Sequence, residues 1–287
     1  MRLLVLGVTG MLGHMMFRTL FEGGRHEVWG SMRGDGARRF FREDMQSWLM
    51  PGVDVLDQDV LAATLLKLRP DVVINCVGLI KQLADAENPL AVLPINAVLP
   101  HRLAALCGLC EARLIHVSTD CVFSGRKGAY SESDVSDAED LYGKSKFIGE
   151  LHDNPGAVTL RTSIIGHELN SNHSLVDWFL SQKVGVKGYR KAIFSGLPTI
   201  ELSRVVRDYV LPDDSLSGLY HVSAEPIDKY SLLKLVGEVY GKHIPIEPDD
   251  RVCIDRSLDS SKFSAATGYH APEWQGLIER MHQGSKD

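Results

Sequence analysis

The segment GVTGMLG at residues 7–13 constrains the fold more than any other stretch of this chain. Its glycines, Gly7, Gly10 and Gly13, follow the short apolar run RLLVL and precede an apolar helix-like segment. Glycines let the backbone turn tightly and approach a pyrophosphate, and the start of the helix adds N–H groups and a positive dipole end. We therefore predict a strand, a glycine turn and a helix that bind a dinucleotide, the alternative being a tight turn without a ligand.

The rest of the first half alternates strand-like and helix-like segments. PDVVINCVG and ARLIHVSTD are apolar on both faces, as in the middle of a parallel sheet. Repeated βα units with short links predict an α/β, Rossmann-type doubly wound parallel sheet over residues 1–165. Gly, Ser, Asn and Pro become more frequent after residue 165. Residues 166–287 are thus predicted to form a smaller mixed α/β, mainly substrate-binding region, with a segment near 196–223 that returns to the main sheet.

Composition narrows the functional classes. The chain has 287 residues, a net charge of -6 and a pI of about 6.0, without the basic excess typical of nucleic-acid binders. We find no apolar run of membrane-spanning length and no signal-peptide pattern at the N-terminus. Five cysteines suit a reducing compartment, and the Cys107/Cys110 pair is interpreted as small buried helix residues rather than a metal site. A cytoplasmic protein without nucleic-acid or membrane partners is expected.

The stretch after the second strand bears on the cofactor. It reads GSMRGDGARR, with Arg33 where an acidic residue would bind the ribose 2′-hydroxyl of NAD. Arginine there favours the 2′-phosphate, so NADP(H) is predicted over NAD(H), unless the arginines form only a solvated loop. Asp57 follows the predicted third strand, where it would reach the adenine edge, cap the next helix, or do both.

Polar side chains mark the end of the buried strand LIHVSTD. Ser118, Thr119 and Asp120 would lie at the carboxyl edge of the sheet, where open α/β sheets bind ligands. Tyr142 heads the next predicted helix, and Lys146 follows on the same helix face. A neighbouring ammonium is expected to lower the tyrosine's pKa from about 10, which suits a general acid acting on an alkoxide.

A second tyrosine–lysine pair has the same spacing. Tyr230 and Lys234 in YSLLK lie far downstream, without a hydroxyl-bearing strand end before them. We predict that this pair is one turn of an ordinary helix.

The ordered motifs GVTGMLG, PDVVINC, INA, HVSTDCVFSG and YGKSKFIGE resemble the extended short-chain dehydrogenase/reductases. Among these, the chain is similar to the dTDP-4-dehydrorhamnose reductase-like branch of nucleotide-sugar 4-ketoreductases, strongly over residues 1–165 and more weakly beyond. The resemblance implies NADP(H)-dependent reduction of a nucleotide-linked 4-keto-6-deoxy sugar in deoxysugar or polysaccharide biosynthesis. It also implies a homodimer.

The resemblance further implies roles for individual residues. Thr119 would hydrogen-bond the keto oxygen, Tyr142 would protonate it as hydride arrives, and Lys146 would hold the ribose hydroxyls. The implied cofactor-binding residues are Gly7, Thr9, Gly10, Met11, Leu12, Gly13, Arg33, Asp57, Cys76, Val77, Gly78, Asn96, Tyr142 and Lys146. The candidate substrate residues are Asp120, Cys121, His173 and Arg190, and no metal ligand is predicted.

Cys121 opens an alternative activity. The related 4,6-dehydratases have a glutamate at this place, so a dehydratase is disfavoured. Cysteine there is similar to the GDP-fucose synthases, which epimerise a keto sugar before reducing it. A thiol with His167 or His173 from GHELNSNHS can move protons next to a ketone, unless Cys121 is simply buried and the histidines are loop residues.

A third function comes from another class of protein. Some relatives of this branch are regulatory subunits that bind the nucleotide without turnover. The retained Thr119, Tyr142 and Lys146 argue against that function here.

Overall fold

The computed structural model describes residues 1–80 and 87–285. Strands and helices alternate through its first half. They are β1 (Arg2–Leu6), α1 (Met11–Glu22), β2 (Glu27–Ser31), α2 (Glu43–Gln46), β3 (Leu49–Met50), α3 (Gln58–Leu68), β4 (Val72–Asn75), α4 (Pro89–Leu93), α5 (Leu99–Leu109), β5 (Arg113–Thr119), α6 (Leu141–Ile148) and β6 (Ala157–Thr162). Two 3₁₀ turns, Asp35–Phe40 and Asp120–Val122, and a π-turn, Pro94–Val98, lie between them.

The second half has shorter strands and longer connections. Its elements are β7 (Ile164–Ile165), α7 (Leu175–Ser181), β8 (Val186–Phe194), β9 (Leu197–Pro198), α8 (Thr199–Val205), β10 (Gly218–His221), β11 (Ile227–Asp228), α9 (Lys229–Tyr240), β12 (Ile246–Asp255), α10 (Ser261–Thr267) and α11 (Trp274–Gly284). A π-turn, Val206–Val210, continues α8.

Seven parallel strands form the main sheet of the described chain, in the order β10-β6-β5-β4-β1-β2-β3. The predicted Rossmann-type fold is therefore confirmed. β10 pairs with β6, with Gly218 opposite Val158, so this late segment lies in the main sheet. Outside that sheet, β11, β8 and β12 form a three-stranded mixed sheet, and β7 pairs with β9.

The central strands are apolar on both faces because helices cover both faces. Along β1, Leu3 and Val5 join a core cluster that includes α1 and α8. Leu4 and Leu6 point the other way, into a cluster that includes α3 and α5. Successive side chains of a strand face opposite sides, so one apolar run supplies both cores.

The helical run Pro89–Leu109 corrects one prediction. It has 21 residues, and an 18-residue stretch within it has a mean hydropathy of 1.5, so it is long and apolar enough to cross a membrane by length and composition. The prediction that no segment reaches membrane-spanning length was wrong. The helix does not stop at Pro94, because a π-turn accommodates the proline ring there, and it continues into α5. Leu99, Leu103 and Cys107 pack in the core beneath α5, so this helix covers one face of the parallel sheet.

Candidate active site

A cavity of about 550 Å³ lies at the carboxyl edge of the main sheet. Residues from both halves of the chain line it, so the glycine turn and the predicted catalytic residues meet the C-terminal region there. The wall from the first half includes Thr9, Gly10, Met11, Leu12, Cys76, Val77, Gly78, Ser118, Thr119, Asp120, Cys121, Tyr142 and Lys146. The wall from the second half includes Ser163, Glu168, His173, Lys229, Ile254 and Arg256.

The glycine turn is shaped for close packing and for an anion. Gly7 has φ +80°, in the left-handed region that favours glycine. A Cβ on Gly13 would lie 2.0 Å from the Gly7 carbonyl oxygen, so α1 can pack this tightly on the turn only with glycine. Among the described residues no side chain caps α1 at Gly10, and Met11 lines the cavity. The N–H groups at this end therefore suit a pyrophosphate.

The loop after β4 forms the next part of the wall. Cys76, Val77 and Gly78, three of the predicted cofactor-binding residues, line the cavity. Asn96, in contrast, lies buried behind this loop. Its side chain accepts from Leu79 N (2.9 Å) and donates to Leu79 O (3.0 Å). Asn96 therefore holds the loop in place rather than forming part of the described wall.

Thr119 and Tyr142 meet across the cavity edge. Thr119 is the last residue of β5, and its side chain is hydrogen-bonded to that of Tyr142 in the first turn of α6. The helix start is fixed by Asp140, whose carboxylate accepts from Gly143 N at 2.7 Å. A Cβ on Gly143 would lie 2.2 Å from the Cys121 carbonyl oxygen, so glycine permits this close approach.

Lys146 follows Tyr142 by one turn and points to the end of β5. Its ammonium donates to the Val117 carbonyl at 2.8 Å. Burial lowers the pKa of Lys146 to about 8, while Glu150 and Cys76 act in the opposite direction.

The pKa of Tyr142 differs from the prediction. Burial is the main cause that raises it, and electrostatic effects of Cys121 and Asp120 add to this, against the hydrogen bond with Thr119. The expected lowering by Lys146 is wrong for this structure, since the ammonium is directed to Val117 instead. Tyr142 is therefore a protonated acid over the whole neutral range.

The residues predicted near the adenosine lie at the surface. Arg33 is exposed after β2. Arg38 pairs with Asp35 at 2.6 Å and donates to the Gln46 and Leu49 carbonyls, so it braces the link between β2 and β3. Asp57 caps α3 by accepting hydrogen bonds from the N–H groups of residues 59 and 60. This confirms one of its two predicted roles, that of a helix cap.

The predicted substrate residues divide into two groups. Asp120, Cys121 and His173 line the cavity. Arg190 does not belong with them: it lies on β8 in an exposed ion pair with Asp250 at 2.6 Å, so its predicted substrate contact is corrected. The reason is strand pairing, because the parallel register of β12 with β8 sets Asp249 beside Tyr189 and brings Asp250 next to Arg190.

Two cations missed by the sequence analysis line the cavity instead. Lys229 opens α9, and Arg256 follows β12. Arg256 Nε donates to the Phe123 carbonyl at 2.7 Å, which fixes the guanidinium near the Asp120 turn. No local sequence motif marks either residue, because both reach the cavity only when the second half of the chain folds onto the sheet.

His167 lies in a different cavity from Cys121. Its Nδ1 lies 2.5 Å from Asp177 Oδ1 and its Nε2 lies 2.8 Å from Tyr240 Oη. This second cavity, of about 590 Å³, shares only Glu168 and Leu169 with the first among the described residues. Of the two histidines considered for epimerisation, only His173 is placed by the structure on the wall that contains Cys121.

The second tyrosine–lysine pair forms a contact within α9. The Lys234 ammonium lies 5.5 Å from the centre of the Tyr230 ring, a cation–π distance. This pair is separate from the hydroxyl chain at the end of β5.

Comparisons with known proteins agree with this geometry. A family model described as the RmlD substrate binding domain matches residues 1–285. "Probable low-salt glycan biosynthesis reductase Agl14" of Haloferax volcanii is 32% identical over 232 residues, covering 77% of this chain and 74% of that protein. "Methionine adenosyltransferase 2 subunit beta" of Danio rerio is 29% identical over 255 residues, covering 83% and 74%.

Solved structures share the fold across the whole chain. A dTDP-4-dehydrorhamnose reductase from Clostridium acetobutylicum superposes with a TM-score of 0.81 at 21% identity, covering 100% of both chains. The Bacillus anthracis enzyme, in complex with NADP, has a TM-score of 0.80 at 18% identity and 99% coverage of both. At these identities the likeness establishes the fold.

Proposed function

The chain belongs to the RmlD substrate binding domain family, and on that premise we propose that it is an NADP(H)-dependent reductase of a nucleotide-linked 4-keto-6-deoxy sugar. One observation carries the proposal: a hydrogen-bonded Thr119 and Tyr142, with Lys146 one turn on, share a cavity with an uncapped glycine turn. These are an acid, its hydroxyl partner, a cation and an anion site at one sheet edge.

The cofactor side of the site follows from the glycine turn. The start of α1 would bind the pyrophosphate through its N–H groups, and Lys146 would hold the ribose. The bound nicotinamide cofactor supplies the hydride. Arg33, exposed at the end of β2, supports NADP(H) over NAD(H) because a guanidinium pairs well with a 2′-phosphate.

The protein's own chemistry is proton delivery. A ketone oxygen held between Thr119 and Tyr142 becomes basic as hydride arrives, and Tyr142 donates its phenolic proton to it. The raised pKa of Tyr142 keeps that proton in place until the alkoxide forms. Thr119, already hydrogen-bonded to Tyr142, orients the oxygen.

The substrate side supports a diphosphate. Lys229 and Arg256 line the cavity from the second half, the region proposed to bind substrate. Two cations near one wall suit the two negative groups of a nucleoside diphosphate sugar. Lys229 and Arg256 therefore replace Arg190 as the proposed cations that contact the substrate.

An epimerase/reductase is the second candidate. Cys121 lines the same cavity, close enough for its charge to raise the pKa of Tyr142, and His173 lies on the wall from the second half. Product formed in heavy water would carry deuterium next to the former ketone if this thiol moves a proton. Product without carbon-bound deuterium from solvent would eliminate the candidate.

A non-catalytic regulatory subunit is the third candidate, favoured by the similarity to methionine adenosyltransferase 2 subunit beta proteins. It predicts nucleotide binding, a stable complex with a second enzyme, and no turnover. The intact Thr119, Tyr142 and Lys146 arrangement weighs for catalysis.

A homodimer would cover some of the exposed apolar side chains of α4, α5 and α6. Leu90 is 87% exposed and Leu109 is 82% exposed, and Phe147 and Ile148 on α6 are also exposed. Burying such side chains in a second copy would gain free energy through the hydrophobic effect. The cytoplasmic location and the division of the chain at residue 165 remain predictions.

The central experiment uses the full chain. Thermal shift with NADPH and NADH is measured first, because a ligand of the native state raises its unfolding temperature. A panel of nucleotide-linked 4-keto-6-deoxy sugars is then assayed for NADPH oxidation with the wild type and Tyr142→Phe. Oxidation by the wild type and loss of about 100-fold or more in the variant is expected. Equal turnover by both proteins would refute the assignment.

A further inference from the structure

Six of the seven residues at positions 168–174 line the active-site cavity from its second-half wall. We call residues 168–174 the wall segment. It contains no helix or strand, so no backbone ladder fixes its conformation. The side chains that line the cavity are mostly polar and suit sugar hydroxyls; they are Glu168, Leu169, Asn170, Ser171, His173 and Ser174.

The wall segment also separates two cavities. Glu168 and Leu169 line both the active-site cavity and the second cavity of about 590 Å³, and Asn172 lines only the second among the described residues. Open space therefore lies on both sides of the segment. Leu169 is its one apolar side chain and packs at the edge of the core, so hydrogen bonds must hold the rest in place.

His167, the residue directly before the wall segment, is held from two sides. Its Nδ1 lies 2.5 Å from Asp177 Oδ1 in the first turn of α7, and its Nε2 lies 2.8 Å from Tyr240 Oη at the end of α9. The side chains of His167 and Asp177 are 21% and 13% exposed. An imidazole with partners on both nitrogens has one ring orientation, so His167 is fixed between two helices.

Asp177 connects His167 to the wall segment. Its Oδ2 accepts a hydrogen bond from Glu168 N at 2.7 Å and another from Ser174 Oγ at 3.1 Å. Glu168 Oε2 in turn accepts from the N–H groups of His173 and Ser174, at 2.7 and 3.1 Å. The first and last residues of the segment are thus joined to the same carboxylate that His167 contacts.

The charge states suit these contacts. Burial acts to raise the pKa of Asp177, but its hydrogen bonds with His167 and with the Glu168 N–H outweigh burial and lower the pKa below the ordinary value. Burial raises the pKa of Tyr240. Near neutral pH, an Asp177 carboxylate therefore accepts from His167 Nδ1–H, and a neutral Tyr240 hydroxyl is the partner of Nε2.

The same contacts tie the wall segment to the proposed diphosphate site. Helix α9 begins at Lys229, which lines the active-site cavity, and ends at Tyr240, which holds His167. One helix therefore fixes the position of the segment relative to Lys229.

We propose that His167 is a positioning residue for the nucleotide sugar: through Asp177 and Tyr240 it holds the wall segment and thereby limits which sugars fit the cavity. This proposal deepens the proposed reductase activity and rests on it. His167 lines the second cavity, whereas Tyr142 lines the first, so His167 acts through the wall segment and not on the reacting atoms.

The second cavity is the physical reason for a limit on sugar size. Without the contacts of His167, Glu168 and Leu169 can move toward that cavity, and the active-site cavity then becomes larger. A looser wall binds the preferred sugar more weakly, because binding must then order the segment. It also discriminates less against a bulky substituent.

Steady-state kinetics of His167→Ala tests this with the sugar that the wild type reduces. KM for that sugar should rise about tenfold, the effect of losing roughly one or two hydrogen bonds. We expect kcat within about threefold and KM for NADPH within about twofold of the wild type, because sites without shared partners act independently. An unchanged KM for the sugar would overturn the proposal.

Selectivity gives a second readout. We compare kcat/KM for an analogue that has an acetamido group in place of one sugar hydroxyl with kcat/KM for the hydroxyl sugar. The ratio of the first to the second should rise about fivefold or more in His167→Ala. A merely destabilised fold lowers both values together and leaves the ratio as it was. A constant ratio would overturn the proposed limit on sugar size.

Three further variants locate the effect. Tyr240→Phe removes only a hydroxyl and should raise KM for the sugar about threefold to tenfold, so it provides the test even if His167→Ala does not fold. His167→Asn places an amide N–H near the position of Nδ1, which can still bond Asp177, and should recover part of the affinity. His270→Ala changes an exposed histidine and should match the wild type. Equal KM values in the wild type and Tyr240→Phe would count against the contact with His167.

Hydrogen exchange gives a readout that needs no turnover. The N–H groups of Glu168, His173 and Ser174 are hydrogen-bonded, and mass spectrometry of peptides spanning residues 166–176 measures their exchange. Their exchange should become about tenfold faster in His167→Ala, because local opening becomes easier. Unchanged exchange would overturn the proposal even if the enzyme is active. Faster exchange together with no NADPH oxidation by the wild type would refute the reductase assignment and leave His167 supported as the residue that holds the wall segment.

Discussion

Glu150 and Arg161 form a buried ion pair next to the end of β5. Arg161 Nη2 lies 2.5 Å from Glu150 Oε2, and Arg161 Nε lies 2.9 Å from Oε1. The two side chains are 0% and 1% exposed. Ser118 Oγ donates to the same carboxylate at 2.6 Å, and Arg161 Nη1 lies 2.8 Å from His221 Nε2. The pair thus ties the end of α6 to β5, β6 and β10.

Removing one partner of this pair should destabilise the fold strongly. Glu150→Gln leaves the Arg161 guanidinium buried without its counter-charge, and we expect a loss of about 3 kcal/mol in the free energy of unfolding. Urea denaturation followed by circular dichroism measures this. Glu139→Gln removes a carboxylate from an exposed pair with Arg126 and should leave the midpoint unchanged. Similar shifts in both variants would show that burial of the Glu150 pair is unimportant.

The packing of α1 against the glycine turn gives a prediction about cofactor binding. Gly13→Ala places a Cβ 2.0 Å from the Gly7 carbonyl oxygen, so the helix must move away from the turn. We expect a stability loss of about 1–3 kcal/mol and weaker NADPH binding by isothermal titration calorimetry. A Cβ on Gly36 meets no atom within 4 Å, so Gly36→Ala is the matched control. Wild-type affinity in Gly13→Ala would contradict the proposed pyrophosphate site.

Lys146 should set the alkaline limit of activity. An ammonium is charged only below its pKa, and burial lowers that pKa to about 8. The rate parameter kcat/KM for NADPH oxidation should therefore fall as pH rises through about 8, approaching a tenfold drop per pH unit. The same profile measured for Lys144→Arg, at an exposed position on α6, should coincide with that of the wild type. If kcat/KM fell only near the ordinary pKa of lysine, burial would not control the pKa of Lys146.

Two arginines of the second half, Arg190 and Arg256, should differ in their effect on substrate binding. Arg256 lines the cavity, whereas Arg190 is paired with Asp250 at the surface. Arg256→Gln is expected to raise KM for the nucleotide sugar about tenfold, the effect of losing roughly one charged hydrogen bond. Arg190→Gln should leave KM within about twofold of the wild type. The reverse pattern would restore Arg190 as the substrate residue.

Much of the fold could be predicted because its signals are local. A glycine turn after a strand, apolar strands without alternation, and helices at three- and four-residue spacing each depend on neighbours in the chain. The order of the motifs also singled out Tyr142 from Tyr230, since only Tyr142 follows a hydroxyl-bearing strand end. The long helical run through Pro94 was missed because proline usually ends a helix, and here a π-turn accommodates it.

The sequence by itself determined the parallel sheet, the glycine turn after β1 and the residues at the end of β5 and the start of α6, because strand and helix periodicity depend on consecutive residues. Only the tertiary structure decided the electrostatics of the site and which residues of the second half line the cavity. Burial, which no local pattern measures, raises the pKa of Tyr142 and lowers that of Lys146. The pairing of β8 with β12 commits Arg190 to Asp250, and Arg256 after β12 lines the cavity. Such contacts join residues distant in sequence, so they exist only once the chain has folded.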